Sequence, residues 1–235
     1  MKKLTWYNEL GFLDNPFSIK PAVFNNPILG YDGILEDINQ KIEESNIIQL
    51  GGKYGTGKTS ILKLIISEFK GKKNVIYYNC NNKEGPVKFD KFLTNMCLFR
   101  RVFRIKKRNM LLLLDEAQDL DTKDINKIED YYEGGFFKSV LLVSQEKISS
   151  LTRTMNEKLV NNKFLVSNIT SKNAIKIIRE RIGDIDFVSD KNLILIFNKN
   201  RNIRAFLKNC EDVFRYTYES GDEEVTPTHI ENILG

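Results

Sequence analysis

The 235 residues contain a single histidine, His229, and only three cysteines, Cys80, Cys97 and Cys210. One imidazole excludes a zinc site built from several histidines and leaves Ser-His-Asp or Cys-His catalysis resting on His229 alone. Three widely spaced cysteines without a C-x-x-C pair exclude a disulfide framework and read as reduced, packed side chains. Long hydrophobic runs are missing too. The longest, Met110–Leu114, falls far short of the roughly 20 residues that span a bilayer. The basic opening MKKLTWYNELGF is interrupted by charge and polar groups before a signal-peptide apolar region can form. A cytoplasmic protein without membrane insertion is the expectation. Proline is sparse, and none occurs between Pro86 and Pro227, so regular structure is expected to run there with little interruption.

An apolar fraction of 41% and a charged fraction of 29% are those of an ordinary globular chain. The net charge of +5 is compatible with an anionic partner without requiring one. Apolar runs at 46–50, 74–78, 110–114 and 139–144 read as strands. Helical spacing is expected over 35–44, 58–69 and 122–132, the last opened by Thr122. Strands that are apolar throughout, alternating with helices, predict an α/β fold with a parallel sheet covered on both faces. After about Thr170 only helical periods remain, over 171–182, 189–198, 203–218 and 226–234, with Ser171, Ser189 and Thr226-Pro227 as start signals. The expected division is an irregular N-terminal arm over 1–30, a sheet domain over 31–169 and a small all-α domain over 170–235.

The stretch GGKYGTGKTS carries the chemistry. Gly52, four residues and Gly57-Lys58-Thr59 match G-x-x-x-x-G-K-[ST], between a predicted strand and a predicted helix. Glycines permit the backbone angles that turn successive N–H groups onto phosphate oxygens, and the helix beginning at Lys58 adds its positive end. Gly52, Lys53, Tyr54, Gly55, Thr56, Gly57, Lys58, Thr59 and Ser60 are thus expected to line a phosphate site. Lys58 would reach the terminal phosphates and the Thr59 hydroxyl would ligate magnesium.

A second acidic motif ends the 110–114 strand at Asp115-Glu116-Ala117-Gln118. Ligands of open parallel sheets bind outside the carboxyl ends of the strands. Asp115 suits magnesium, and Glu116 suits a base that orients or deprotonates the water attacking a γ-phosphate. A GTPase would need Asn-Lys-x-Asp after a strand. The nearest match, Asn126–Glu129, ends in Glu inside a helical pattern. A two-domain DEAD-type helicase would need a second α/β domain where this sequence turns helical.

With these motifs the chain resembles the AAA+ ATPases: Gly52–Thr59 as Walker A, Leu111–Glu116 as Walker B and a helical lid after the P-loop αβα sandwich. Within that superfamily it is most similar to the ATPase module of archaeal origin-recognition initiators. LGFLDNPFSIKP and Asp-Glu-Ala-Gln are the features closest to the ExeA/TniB type. The resemblance implies Mg-ATP as ligand, ATP hydrolysis and a nucleotide-dependent homo-oligomer. It places a polar sensor group at Ser144, with Gln145 as a second possibility, and a sensor arginine at Arg204. It sets Ile28 and Gly30 in the segment that packs against adenine. Arg153 is the candidate for a finger arginine, although it comes earlier than the family's pattern has it.

Four of the ten arginines, Arg100, Arg101, Arg104 and Arg108, fall within nine residues. Such a cluster suits phosphate gripping, either on duplex DNA or against an acidic neighbour, or else a solvated helix end. The expected work is ATP-driven action on DNA or on a DNA-bound protein. An ATP-gated switch of slow turnover and an ATPase of a membrane or secretion machine are the alternatives.

Overall fold

The computed structural model describes residues 5–19, 31–69, 74–94 and 106–235. It forms two compact units, one of Tyr31–Val166 and the other of Met1–Gly30 with Ser167–Gly235.

The first unit is built on five parallel strands, β1 Ile47–Gly51, β2 Asn74–Asn79, β3 Met110–Asp115, β4 Phe137–Ser144 and β5 Lys163–Leu165, in the order β2-β3-β4-β1-β5. The inner strands are the uniformly apolar ones: every residue of β3 is buried and nearly all of β4. A run such as MLLLL leaves no polar face, so it is stable only where helices cover both sides. Helices Asp32–Glu43, Lys58–Phe69 and Thr122–Glu133 provide that cover, burying Ile38 and Ile42, Ile61, Leu62 and Ile65, and Ile125 and Ile128. β5 lies at the edge, and its three residues alternate in exposure, so its sequence carries little strand signal.

Two helices begin at the expected residues, Thr122 and Ser171, but are capped one residue earlier. The helix read as opened by Thr122 is capped by Asp121, whose carboxylate accepts from the Asp124 N–H at 2.9 Å while Asp124 reaches back, a reciprocal capping box. Asp124 is fully buried. It also accepts from the Val87 N–H at 2.8 Å and pairs with Lys83 at 2.5 Å, pinning the loop before helix Phe89–Thr94 to helix Thr122–Glu133.

The second unit contains helices Ser171–Ile182, Asp190–Asn198, Ile203–Glu219 and Pro227–Leu234. Thr170, not Ser171, caps the first of them, accepting from the Asn173 N–H. Ser189 and Thr226 cap as expected, with Pro227 in the first turn. Residues 5–19, expected as an irregular arm, form one helical turn at Trp6–Glu9 and then pack into this unit. Phe17 is fully buried with its ring 4.7 Å from that of Phe214, and the Arg181 guanidinium donates to the Pro16 and Ser18 carbonyls at 3.1 Å each. His229 serves structure: Nδ1 accepts from the Thr226 N–H at 3.2 Å and Nε2 lies 3.1 Å from Asp222. Cys80 and Cys210 are buried, and burial pushes the Cys80 thiol up to about 12, so neither is a thiolate nucleophile at neutral pH. Among the described residues no helix is long and apolar enough to cross a membrane.

Candidate active site

The loop between β1 and helix Lys58–Phe69 has the backbone its glycines predict. Gly55 and Gly57 take φ of 78° and 95°, the left-handed region that side chains avoid. Gly52 is required for another reason: a Cβ there would meet the Val166 carbonyl oxygen at 2.8 Å and the Thr56 hydroxyl at 2.9 Å. The loop is tied to itself. Lys58 Nζ donates to the Gly52 and Lys53 carbonyls at 2.7 and 3.0 Å, and Thr56 Oγ1 donates to the Lys53 carbonyl at 2.8 Å. Lys58 is 6% exposed. Burial pushes its ammonium below the usual lysine value, against the pull of Glu116 and Asp115. An anion placed in the loop would relieve that burial cost.

The acidic motif converges on the same place. Thr59, in the first turn of the helix, donates through Oγ1 to Asp115 Oδ2 at 3.3 Å. Asp115 is 2% exposed, and burial, with the neighbouring Glu116 charge, raises its carboxyl above the ordinary aspartate value. A buried carboxylate beside a hydroxyl, both hard oxygen donors, fits magnesium that takes its remaining ligands from phosphate and water. Among the described residues no group of three or more His, Cys, Asp or Glu converges to hold a metal ion.

Glu116 occupies a left-handed backbone conformation, φ 53° and ψ 46°, at the turn after β3. Its carboxylate accepts from Gln118 Nε2 at 2.8 Å and from Gln145 Nε2 at 2.8 and 2.9 Å. Gln118 Oε1 in turn accepts from the Gln145 N–H at 3.2 Å, so one carboxamide links the turn after β3 to the end of β4. Ser144 lies beside Gly51 in the sheet register and is buried, its hydroxyl accepting from Gln49 Nε2 at 3.4 Å. Of the two expected sensor positions, Gln145 is therefore the one that touches Glu116.

Three contributors have no role assigned from the sequence, and two of them, Tyr77 and Tyr31, lie outside any motif. Tyr77 on β2 donates its hydroxyl to Asp115 Oδ2 at 3.3 Å and is 44% exposed. Tyr31 donates to the Thr56 carbonyl. Gln118 stood inside the quoted motif without a role. Tyr54 is 58% exposed at the tip of the loop. Arg153 is exposed and donates to Glu157 at 2.9 Å. Arg204 belongs to the second unit, at the start of helix Ile203–Glu219, where Asn202 accepts from its N–H at 3.0 Å. Ile28, Gly30, Arg100, Arg101 and Arg104 lie outside the described residues. Of the basic cluster, Lys106 pairs with Asp90 at 2.6 Å and Arg108 stacks over Phe136 at 4.9 Å. Both precede β3, at the opposite end of that strand from Asp115.

The sheet order, the glycine loop after β1 and the acidic tip of β3 define a P-loop NTPase fold followed by a helical region. Solved structures share it. Drosophila ORC bound to DNA is 15% identical with a TM-score of 0.66, over 94% of this chain and 63% of that one. Cdc6p from Pyrobaculum aerophilum is 16% identical with a TM-score of 0.66, over 94% and 71%. The Thermotoga maritima RuvB Holliday junction branch migration motor is 14% identical with a TM-score of 0.64, over 85% and 68%. These are AAA+ ATPases, and at such identities the likeness establishes the fold. No family model matches the chain. A putative ABC transporter ATP-binding protein of Clostridium perfringens is 35% identical over 88 residues, 36% of this chain. The chain spans 16% of that curated relative's length.

Proposed function

We propose that the protein binds and hydrolyses Mg-ATP and couples the nucleotide cycle to DNA or to a DNA-bound protein. The observation that carries the first half is the meeting of Thr59 and Asp115 at 3.3 Å in front of a self-tied glycine loop. In this reading the loop amides and the Lys58 ammonium bind the phosphates, exchanging the Gly52 and Lys53 carbonyls for phosphate oxygens. Thr59 and Asp115 hold magnesium, which supplies neutralisation of charge developing on the phosphates. Glu116 orients the attacking water, with Gln118 and Gln145 fixing its carboxylate. Ser144 or Gln145 registers the γ-phosphate from the end of β4, and Arg204 is the sensor arginine that the family resemblance implies. Ile28 and Gly30 take the adenine side.

The DNA half is supported by the names of structures with this fold, one of them bound to DNA and another a branch migration motor. It is also supported by the arginines at 100, 101, 104 and 108. Work as a homo-oligomer, in the cytoplasm, belongs to the same reading. One observation favours a slower, switch-like cycle: two carboxamides occupy three of the roughly four acceptor sites of the Glu116 carboxylate, which restricts the approach of a water.

The test is nucleotide binding and turnover in three proteins. Wild type binds Mg-ATP and hydrolyses it. Lys58→Ala loses binding. Glu116→Gln binds ATP but turns over about 100-fold more slowly or worse. Hydrolysis by Glu116→Gln at the wild-type rate would refute the catalytic assignment. Stimulation of turnover by duplex DNA, lost when Arg100, Arg101 and Arg104 are reversed to Glu, tests the partner.

A further inference from the structure

The phosphate loop has a support that its motif does not contain. Tyr31 precedes helix Asp32–Glu43 and is 6% exposed. Its hydroxyl donates to the Thr56 carbonyl at 2.5 Å, and its ring lies along Gly57, where a Cβ would come within 3.4 Å of ring carbon and hydroxyl. The tyrosine is itself anchored. Its carbonyl accepts from the Leu35 N–H at 2.9 Å, in the first turn of a helix whose Ile38 and Ile42 are fully buried in the sheet unit. Thr56 is thus held three times, by its side chain and its N–H on the Lys53 carbonyl and by its own carbonyl on Tyr31.

The carbonyl and N–H of a trans peptide point in opposite directions across a rigid plane. Holding the Thr56 carbonyl toward Tyr31 therefore turns the Gly57 N–H to the other side, away from the helix that carries Tyr31. We propose that Tyr31 is a positioning residue for the phosphate loop: it fixes the Thr56–Gly57 peptide so that the Gly57 N–H is presented to a nucleoside triphosphate before the ligand arrives. The proposal rests on reading the loop as a nucleotide site. The loop needs such a peg because its glycines at 52, 55 and 57 lose more backbone freedom on ordering than other residues. Order supplied in advance is order the ligand need not impose. Burial pushes the Tyr31 phenol up to about 12, so the hydroxyl keeps its proton and remains a donor through neutral and mildly alkaline pH.

Tyr31→Phe removes the donor and keeps the ring against Gly57. Titration calorimetry with Mg-ATP and with adenosine, thermal melting without nucleotide and amide exchange across the loop form the test. The expected result is a roughly tenfold weaker Mg-ATP affinity with adenosine affinity unchanged. Loop amides exchange faster, and the melting temperature moves by no more than a few degrees. A variant that melts lower but binds Mg-ATP as tightly as wild type would assign Tyr31 a purely structural role and overturn the inference, as would equal affinity with no change in melting. In either case the nucleotide reading stands. Wild type that binds no Mg-ATP at all overturns both.

Discussion

The Thr59 hydroxyl donates to Asp115 Oδ2 at 3.3 Å, although 56 residues separate the two in sequence. The first turn after the glycine loop and the tip of β3 are thereby brought to one buried carboxylate, a costly placement unless a cation is meant to share it.

That cost is measurable. Burial and Glu116 raise the Asp115 carboxyl, so the folded protein holds this proton more tightly than the unfolded chain does. Stability contributed by such a group declines as pH rises past the unfolded aspartate value, and at neutral pH the ionised form works against folding. Asp115→Asn is expected to melt higher than wild type without nucleotide at pH 7. It is also expected to lose the extra stabilisation that magnesium adds to ATP. A magnesium-dependent shift of wild-type size in the variant would remove Asp115 from the cation site.

Asp124 has the opposite character, a buried charge already satisfied by Lys83 and the Val87 N–H. Asp124→Ala strands Lys83, the Val87 N–H and the Asp121 N–H of the capping box, and is expected to cost about 3 kcal/mol, read as a lower denaturant midpoint with an unchanged slope. Asp124→Asn, which can still accept from Val87, should lose less. Equal losses would mean that the Val87 hydrogen bond contributes nothing.

Phe17 tests whether residues 5–19 belong to the helical unit. Phe17→Ala empties a fully buried site beside Phe214 and is expected to destabilise by about 3–5 kcal/mol. Tryptophan fluorescence would report it, because Trp6, the only tryptophan, stacks near Phe17 with centroids 6.2 Å apart. A variant as stable as wild type would show that the segment does not hold its place in solution.

At Asp90 the sign of the pH effect reverses. Lys106, and then the Tyr131 hydroxyl, hold its carboxyl below the ordinary aspartate value. A lowered folded value gives stability that is present above the unfolded aspartate pKa of about 3.9 and is lost as pH falls through the folded value. The difference between wild type and Asp90→Asn should be flat near neutrality and close below about pH 4 in urea melts. Asp90 is largely exposed, so the effect is small and shrinks with added salt.

Sequence made the sheet legible where burial is uniform. MLLLL and SVLLVS have no polar face and read as inner strands directly. It also made the phosphate loop legible, because a left-handed backbone at Gly55 and Gly57 leaves its mark in residue type. β5 escaped because an edge strand of three residues, none of them buried, is too short to show a period. The packing of Phe17 against Phe214, and the tyrosines that reach Thr56 and Asp115 from 25 and 38 positions away, escaped for a common reason. Contacts between residues far apart in the chain leave no local pattern. The helix caps are a milder case: the helices start at Thr122 and Ser171 as read, but Asp121 and Thr170, one residue earlier, do the capping, and only the side-chain contacts separate a cap from its neighbour.

The Val166 carbonyl that crowds Gly52 belongs to the last residue of the sheet unit. The mouth of the phosphate loop and the exit toward the helices are therefore in direct steric contact. A single methyl group added at position 52 would disturb both at once, and a chain altered at position 167 would act on the peptide whose oxygen packs against the glycine loop. Redesign of either end has to be judged at the other.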